Sequence, residues 1–179
     1  MRLQRKLSDD YYQPAEDTFF LADHIGKEKG YSALDIGTGS GFLANVLSNN
    51  FEFVVATDIS SGALKKAHEL VPNCVCCNSA DAINGVFDLV VCNLPYLPSE
   101  EILDRTVDGL REGLGVTTGI LNSASKVVRK NGKIIYLTSS LANYQELMKR
   151  TMKMGLEPKI VSRKKLFFEE LVIVECVKI

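Results

Sequence analysis

The residues with the clearest chemical potential in this sequence follow a short apolar run near its middle. Residues 86–92 read V-F-D-L-V-V-C, which is typical of a buried strand, and Pro95 cannot continue a strand in the middle of a sheet. In the loop that follows, Asn93 Oδ1 and the Leu94 carbonyl can accept hydrogen bonds from one –NH2 group, and Tyr96 can stack on a flat amide or base. We therefore interpret this stretch as a clamp for a planar nitrogen nucleophile. The alternative is an ordinary strand end followed by a proline turn.

A glycine-rich segment, G-T-G-S-G, lies upstream at the spacing that an α/β fold requires. Gly37, Gly39 and Gly41 allow a tight turn and the close approach of a ligand to the backbone. The segment is neither the G-x-G-x-x-G of a dinucleotide site nor a P-loop, which favours a nucleoside without a pyrophosphate. Asp58 follows the next strand, 21 residues after Gly37, where its carboxylate can bind both ribose hydroxyls. Asp81 follows the third strand and can accept a hydrogen bond from an adenine amino group. Taken alone, the glycine-rich segment is also compatible with a plain turn.

The elements that must position these residues follow from the hydrophobic pattern. Seven strands are predicted, at residues 33–36, 53–56, 74–77, 86–92, 134–137, 159–162 and 168–177. Five helices are predicted: from Pro14 to Gly26, at residues 42–47, from a cap at Ser60 or Ser61 to Pro72, at residues 120–128, and from Asn143 to Gly155. Asn131-Gly132 is predicted to end the fourth helix. Residues 99–115 are predicted to be irregular. Strands and helices alternate from residue 33 to 137, which predicts a parallel sheet covered on both faces. The polar clusters then share the carboxyl edge of the sheet, where such folds bind ligands.

Composition indicates an ordinary globular protein. The chain has 179 residues, which predicts a single domain spanning 1–179, with 46% apolar and 24% charged residues. With 21 basic and 22 acidic residues the net charge is −1, so no global field attracts nucleic acid. The five cysteines lack the spacing of metal ligands and are interpreted as reduced and buried, and no metal is expected. Neither a signal peptide nor a membrane span is recognised, so a cytoplasmic location is expected.

Three motifs together resemble a known class of enzyme. D-I-G-T-G-S-G at residues 35–41, A-T-D-I-S at residues 56–60 and N-L-P-Y at residues 93–96 resemble class I S-adenosylmethionine-dependent methyltransferases that act on planar nitrogens. Y-Q-P-A-E-D-T at residues 12–18 is similar to the small archaeal and eukaryotic HemK-like branch, which methylates the glutamine of the Gly-Gly-Gln motif in class I translation release factors. The resemblance runs from about Tyr12 to the C-terminus. It implies a Rossmann-like α/β fold with a mostly parallel seven-stranded sheet, helices on both faces, an antiparallel last strand, and residues 1–30 as an extension and helix covering the cofactor site.

The resemblance also implies a cofactor, partners and site residues. S-adenosylmethionine is the implied cofactor, a release factor the implied substrate, and a small zinc-binding activator protein that pairs with a sheet edge a possible partner. The implied catalytic residues are Asn93, Leu94, Pro95 and Tyr96. The implied cofactor contacts are Thr18, Asp35, Gly37, Thr38, Gly39, Gly41, Asp58, Ile59, Asp81, Ala82 and Asn93.

One departure from the family pattern keeps a second activity open. The usual tetrapeptide is N-P-P-Y, and Leu94 replaces its first proline, although the carbonyl at that position persists. N-L-P-Y is also similar to the motif of ribosomal RNA adenine dimethyltransferases, which usually carry a further helical domain and a more basic surface. The alternatives are therefore an adenine-N6 methyltransferase acting on RNA or DNA, and a non-catalytic nucleoside-binding subunit.

Overall fold

A computed structural model describes residues 13–95 and 109–179, without the side chains of residues 109–113. The helices are α1 (Glu16–Ile25), α2 (Phe42–Leu47), α3 (Ser61–Ala67), α4 (Gly109–Val127) and α5 (Tyr144–Met152). The strands are β1 (Gly30–Ile36), β2 (Phe51–Asp58), β3 (Cys74–Cys76), β4 (Phe87–Asn93), β5 (Val128–Ser139), β6 (Leu156–Lys165) and β7 (Glu170–Lys178). The predicted clamp residue Tyr96, Tyr12 and residues 99–108 of the predicted irregular segment lie outside the described residues.

All seven strands form one sheet in the order β3-β2-β1-β4-β5-β7-β6. The neighbouring pairs from β3 to β5 are parallel, whereas β7 runs antiparallel to both β5 and β6. The prediction of a mostly parallel seven-stranded sheet with an antiparallel last strand is therefore confirmed. Ile36 pairs with Cys92, and Asn93 pairs with Leu137, so β1, β4 and β5 end close to one another at the carboxyl edge.

Helices cover both faces of the sheet, as the run of apolar strands predicts. On one face, Leu21 and Ile25 of α1 and Leu43 and Leu47 of α2 pack in one cluster with β-strand side chains. On the other face, α4 and α5 contribute Leu121, Ala124, Val127 and Leu147 to a second cluster. The central strands are buried from both sides, which is why their sequences are almost continuously apolar.

Two predicted helix caps are present. Ser60 Oγ accepts a hydrogen bond from Ala63 N at 3.2 Å, and Asn143 Oδ1 accepts one from Glu146 N at 3.1 Å. Each bond satisfies a backbone donor that the first turn of a helix leaves unpaired.

Two predicted boundaries are wrong in the same region. Helix α4 begins at Gly109, within the segment predicted to be irregular up to Gly115, because packing of its later residues on the core outweighs the weak helix propensity of its glycines. Asn131-Gly132 does not end this helix but lies inside β5, which begins at Val128. Asn131 has φ +61, and the register between β4 and β5 shifts there, so the turn signal belongs to a local irregularity of the strand.

The expectation that the cysteines are buried holds for only two of them. All five are free thiols, and Cys92 and Cys176 are fully buried. Cys76 is exposed and Cys74 and Cys77 are half-buried, because β3 has three residues and stands at the end of the sheet. None of the helices in the described ranges combines the length and apolar character that a membrane span needs.

Candidate active site

A cavity of about 850 Å³ opens at the carboxyl edge of the sheet. Several predicted residues line it: Gly37, Asp58, Ile59, Asp81, Asn93, Leu94 and Pro95. Helix α1 adds Asp17, and helix α4 adds Val116, Gly119, Ile120, Asn122, Ser123 and Lys126. Three carboxylates and one ammonium group are thus the charged groups among the described lining residues, a balance that favours a cationic ligand.

The amide of Asn93 is held in one orientation by helix α1. Its Nδ2 donates a hydrogen bond to Asp17 Oδ2 at 3.1 Å, across 76 residues of sequence. The other oxygen of Asp17 accepts from the Thr18 backbone nitrogen at 2.7 Å, which fixes the carboxylate at the start of the helix. Asn93 Oδ1 is buried and has no hydrogen-bond partner among the described residues. A buried acceptor beside a cavity is suited to a donor that arrives with a ligand.

The glycine loop presents its backbone to the cavity at one point. Gly37 has φ +74, and a Cβ built on it would meet nothing within 4 Å, so a ligand can approach the backbone there. Gly41 has a different role, because a Cβ there would lie 2.7 Å from the Cα of Ala67, at the end of α3. Both glycines are therefore needed for the conformation of the loop, since Gly41 has φ +83, and Gly41 is needed in addition for close packing between α2 and α3.

Asp35 supports the loop from beneath. Its side chain is fully buried, and its Oδ2 accepts a hydrogen bond from Thr38 Oγ1 at 2.6 Å. Burial raises the pKa of Asp35 to about 6, although the Thr38 hydroxyl favours the charged form. Asp35 and Thr38 lie outside the cavity lining, so they stabilise the turn that carries Gly37.

Asp58 connects the glycine loop to the residues that precede α3. Its Oδ2 accepts from Gly39 N at 2.9 Å and its Oδ1 accepts from Ser60 N at 2.8 Å. Since each carboxylate oxygen has more than one acceptor site, both can also receive a ligand hydroxyl.

Asp81 is oriented by two neighbours that also line the cavity. Its Oδ1 accepts from Ser123 Oγ at 3.0 Å and its Oδ2 accepts from Asn78 Nδ2 at 3.0 Å. Ser123 Oγ also accepts from Ala80 N at 3.1 Å, which ties α4 to the loop that carries Asp81.

The remaining predicted cofactor contacts lie outside the cavity lining. They are Thr18, Asp35, Thr38, Gly39, Gly41 and Ala82, of which Ala82 borders a separate recess with Phe53 and Phe87. Sequence reasoning missed Asp17, Asn78, Ser123 and Lys126 as lining residues. Asp17 belongs to the Y-Q-P-A-E-D-T motif, which was the available signal, whereas nothing in the sequence marked the residues of α4.

Comparison with known proteins agrees with this architecture. The chain resembles the methyltransferase in the solved Encephalitozoon cuniculi Mtq2–Trm112 complex, with a TM-score of 0.76 and 26% identity, covering 95% of this chain and 99% of that one. That complex is described as responsible for the methylation of the translation termination factor eRF1. The fold and site thus define a class I S-adenosylmethionine-dependent methyltransferase, as the sequence motifs predict.

The family follows from the sequence model of the methyltransferase small domain, which matches residues 14–165. The chain belongs to this family. It is 28% identical to a Methanocaldococcus jannaschii protein provisionally named a protein N5-glutamine methyltransferase, covering 96% of this chain and 94% of that protein. It is also 28% identical to the Schizosaccharomyces pombe eRF1 methyltransferase catalytic subunit mtq2, covering 79% of this chain and 78% of that protein.

The residues present fit the cofactor of this class. The open backbone at Gly37, the acceptors of Asp58 and the acceptors of Asp81 suit a nucleoside with two ribose hydroxyls and an adenine amino group. The acidic balance of the lining suits the positive charge of a sulfonium.

Proposed function

We propose that this enzyme methylates the N5 nitrogen of the glutamine in the Gly-Gly-Gln motif of a class I translation release factor. The observation that carries the proposal is the orientation of Asn93, whose Nδ2 is occupied by Asp17 and whose buried Oδ1 has no hydrogen-bond partner among the described residues. The named relatives support a protein glutamine as the acceptor. A cytoplasmic location follows from the proposed substrate, since release factors act on ribosomes there.

S-adenosylmethionine supplies an electrophilic methyl group on its sulfonium sulfur when bound. We assign its ribose to Asp58, its adenine to Asp81, and its close backbone contact to Gly37, with α1 as one wall of the site through Asp17. Ile59 lines the same cavity and is 75% exposed, which suits an apolar contact with the base.

The chain's own residues would prepare the acceptor nitrogen. The lone pair of an amide nitrogen is delocalised, so attack requires that conjugation to weaken while positive charge grows on nitrogen. Asn93 Oδ1 and the Leu94 carbonyl would accept the two N–H bonds, orient the nitrogen and stabilise that charge. Pro95 stiffens the loop and Tyr96 would hold the amide plane. Neither acceptor is basic, so the proton would leave to water after transfer.

Mass spectrometry of the acceptor tests the proposal. Release factor incubated with enzyme and labelled cofactor is expected to gain one methyl group on the loop glutamine, and a release factor with that glutamine changed to alanine gains none. Asn93→Ala is the matched enzyme control and should label at a rate lower by at least about tenfold. Competition with ribosomal RNA and adenine-containing DNA tests the other acceptor class. Label on nucleic acid and none on the glutamine would refute the assignment.

We further propose that a small activator protein, zinc-binding in its family, assembles with this enzyme. The S. pombe relative is named a catalytic subunit, and the E. cuniculi structure is a complex with Trm112. Strand β3 ends the described sheet on one side, and Phe53 and Phe87 stack near it with ring centroids 6.4 Å apart. Reconstitution tests this, since added activator should raise turnover and co-elute with the enzyme.

A further inference from the structure

The turn between β6 and β7 carries two adjacent aromatic side chains in water. Phe167 is 91% exposed and Phe168 is 86% exposed, the highest values among the large apolar side chains in the described ranges. Their ring centroids lie 4.6 Å apart in an edge-to-face arrangement. We call this pair the aromatic tip. Exposed aromatic pairs of this kind are typical of protein interaction sites, where they supply most of the binding energy.

The support of the aromatic tip is fixed on both sides. Leu166 N donates to Glu169 O at 2.8 Å, which closes the turn. Ser140 N donates to Glu170 O at 2.8 Å, and Glu170 N donates to Ser140 Oγ at 2.9 Å, which anchors the turn to the end of β5. A rigid support lowers the conformational entropy that binding must offset.

The aromatic tip lies at the same edge of the sheet as the cavity. Strand β7 is antiparallel to both β5 and β6, so β6 runs parallel to β4 and β5 and ends where they end. Asn93 pairs with Leu137 of β5, which in turn pairs with Ile173 of β7. Two strand spacings, about 10 Å, therefore separate Asn93 from β7 across the sheet.

The first turn of α1 connects the two places. Asp17 Oδ2 accepts from Asn93 Nδ2, while the neighbouring Glu16 Oε1 lies 2.9 Å from Lys164 Nζ at the end of β6. The Lys164 ammonium also lies 5.9 Å from the ring centroid of Phe20. The catalytic amide, the start of α1 and the base of the aromatic tip thus form one continuous surface beside the cavity.

We propose that the aromatic tip is a docking site for the protein that presents its glutamine to Asn93. This inference rests on the proposed function. An acceptor protein that inserts a loop into the cavity must cover the surrounding edge, and the aromatic tip stands on that edge with apolar surface to bury. The chemistry predicts an apolar patch on the acceptor beside its methylated loop.

The test replaces both rings and measures the acceptor and the cofactor separately. The double variant Phe167→Ser/Phe168→Ser is expected to raise KM for full-length release factor about ten- to hundredfold, because it removes two exposed rings that docking would bury. Its kcat at saturating acceptor and its Kd for S-adenosylmethionine should stay within about twofold of wild type, since neither ring lines the cavity. Val86→Ser is the matched control, because Val86 is 61% exposed and precedes β4 at the opposite edge. It should change none of the three values.

A second double variant, with leucine at both positions, distinguishes the loss of apolar docking from a change in fold. Phe167→Leu/Phe168→Leu should recover most of the wild-type KM, whereas equal KM values for the leucine and serine pairs would contradict apolar docking. An unchanged KM in the serine variant overturns the docking site, as does a loss of self-association or of activator binding without any change in KM. If the wild-type enzyme methylates no release-factor glutamine, the proposed function and the docking site both fail.

Discussion

Asp17 and Asn93, which are 76 residues apart in sequence, meet through a 3.1 Å hydrogen bond between Oδ2 and Nδ2. The bond selects one of the two amide orientations of Asn93. With Nδ2 turned toward the carboxylate, Oδ1 is left as an acceptor beside the cavity. An amide turned the other way would place its –NH2 there and repel the –NH2 of an incoming glutamine.

Asp17→Ala should therefore lower the rate of methyl transfer even at saturating S-adenosylmethionine, while its loss of one of the three carboxylates in the lining should also weaken cofactor binding. A hydrogen bond to a charged group contributes about 1.5–3 kcal/mol, so a ten- to hundredfold decrease in the single-turnover rate is expected. Asp17→Asn keeps an acceptor for Asn93 Nδ2, so its single-turnover rate should decrease much less. Equal rates for wild type and Asp17→Ala would show that Asp17 does not position the amide.

A double-mutant cycle checks that Asp17 acts through Asn93. If it does, Asp17→Ala should add almost nothing in an Asn93→Ala background, because the amide that Asp17 orients is already absent. If the two rate losses, expressed as activation free energies, add in the double variant, the two residues contribute independently.

Asp58→Ala should weaken S-adenosylmethionine binding by roughly ten- to hundredfold, since it removes charge-assisted acceptors for the ribose. It also removes the acceptors of Gly39 N and Ser60 N, so some loss of stability should accompany it. Asp58→Asn keeps one acceptor and the shape of the side chain, and its effect should be smaller. Calorimetry measures both affinities, and an unchanged Kd for the alanine variant would remove Asp58 from the site.

Local patterns predict most of this fold. Helix α2 begins and ends where its apolar spacing and the preceding glycine indicate, and apolar runs indicate all seven strands. The start of α4 escapes such patterns because Gly113, Gly115 and Gly119 oppose a helix locally, and only packing on the sheet decides otherwise.

The candidate site is predictable where a motif lies at a strand end, as for Gly37, Asp58 and Asn93. It is not predictable where two distant elements meet. Ser123 on α4 orients Asp81 from 42 residues away, and a serine in an amphipathic helix gives no sign of such a contact. An acidic residue in the first turn of a helix is already explained by the helix dipole, so the sequence does not predict the contact of Asp17 with Asn93.

Leu94→Pro would restore the tetrapeptide usual in the family, and we expect it to cost stability rather than turnover. Leu94 N donates to Leu137 O at 3.2 Å, and proline has no N–H to replace this bond between β4 and β5. Leu94 is also only 2% exposed, so packing is lost as well. Urea unfolding should show a decrease of about 2–3 kcal/mol.

The carbonyl at position 94 persists in this variant, so the folded enzyme should turn over within about threefold of wild type. Leu94→Met keeps the N–H and nearly the same volume, and should cost less than about 1.5 kcal/mol. A stable but inactive Leu94→Pro enzyme would mean that the leucine side chain takes part in the reaction.

Asp35 should make the protein less stable as pH rises from about 4 to about 6. Burial raises its pKa from 3.8 to about 6 in the folded protein. Between these values the folded state holds a proton that the unfolded chain has released, so the free energy of unfolding falls with rising pH and levels off above the folded pKa. The loss attributable to this carboxyl is roughly 3 kcal/mol. Asp35→Asn cannot ionise and still offers an oxygen to the Thr38 hydroxyl, so it should remove this part of the pH dependence.

Urea unfolding at pH 4.5 and pH 7.5 measures the effect as a difference between the two proteins. Relative to wild type, Asp35→Asn should gain about 2 kcal/mol more stability at the higher pH than at the lower pH. Other titrating groups are common to both proteins and cancel in that comparison. If Asp35→Asn instead follows the wild-type pH dependence, the Asp35 carboxyl is already ionised in the folded protein at low pH, and the loop that carries Gly37 packs on a charged group.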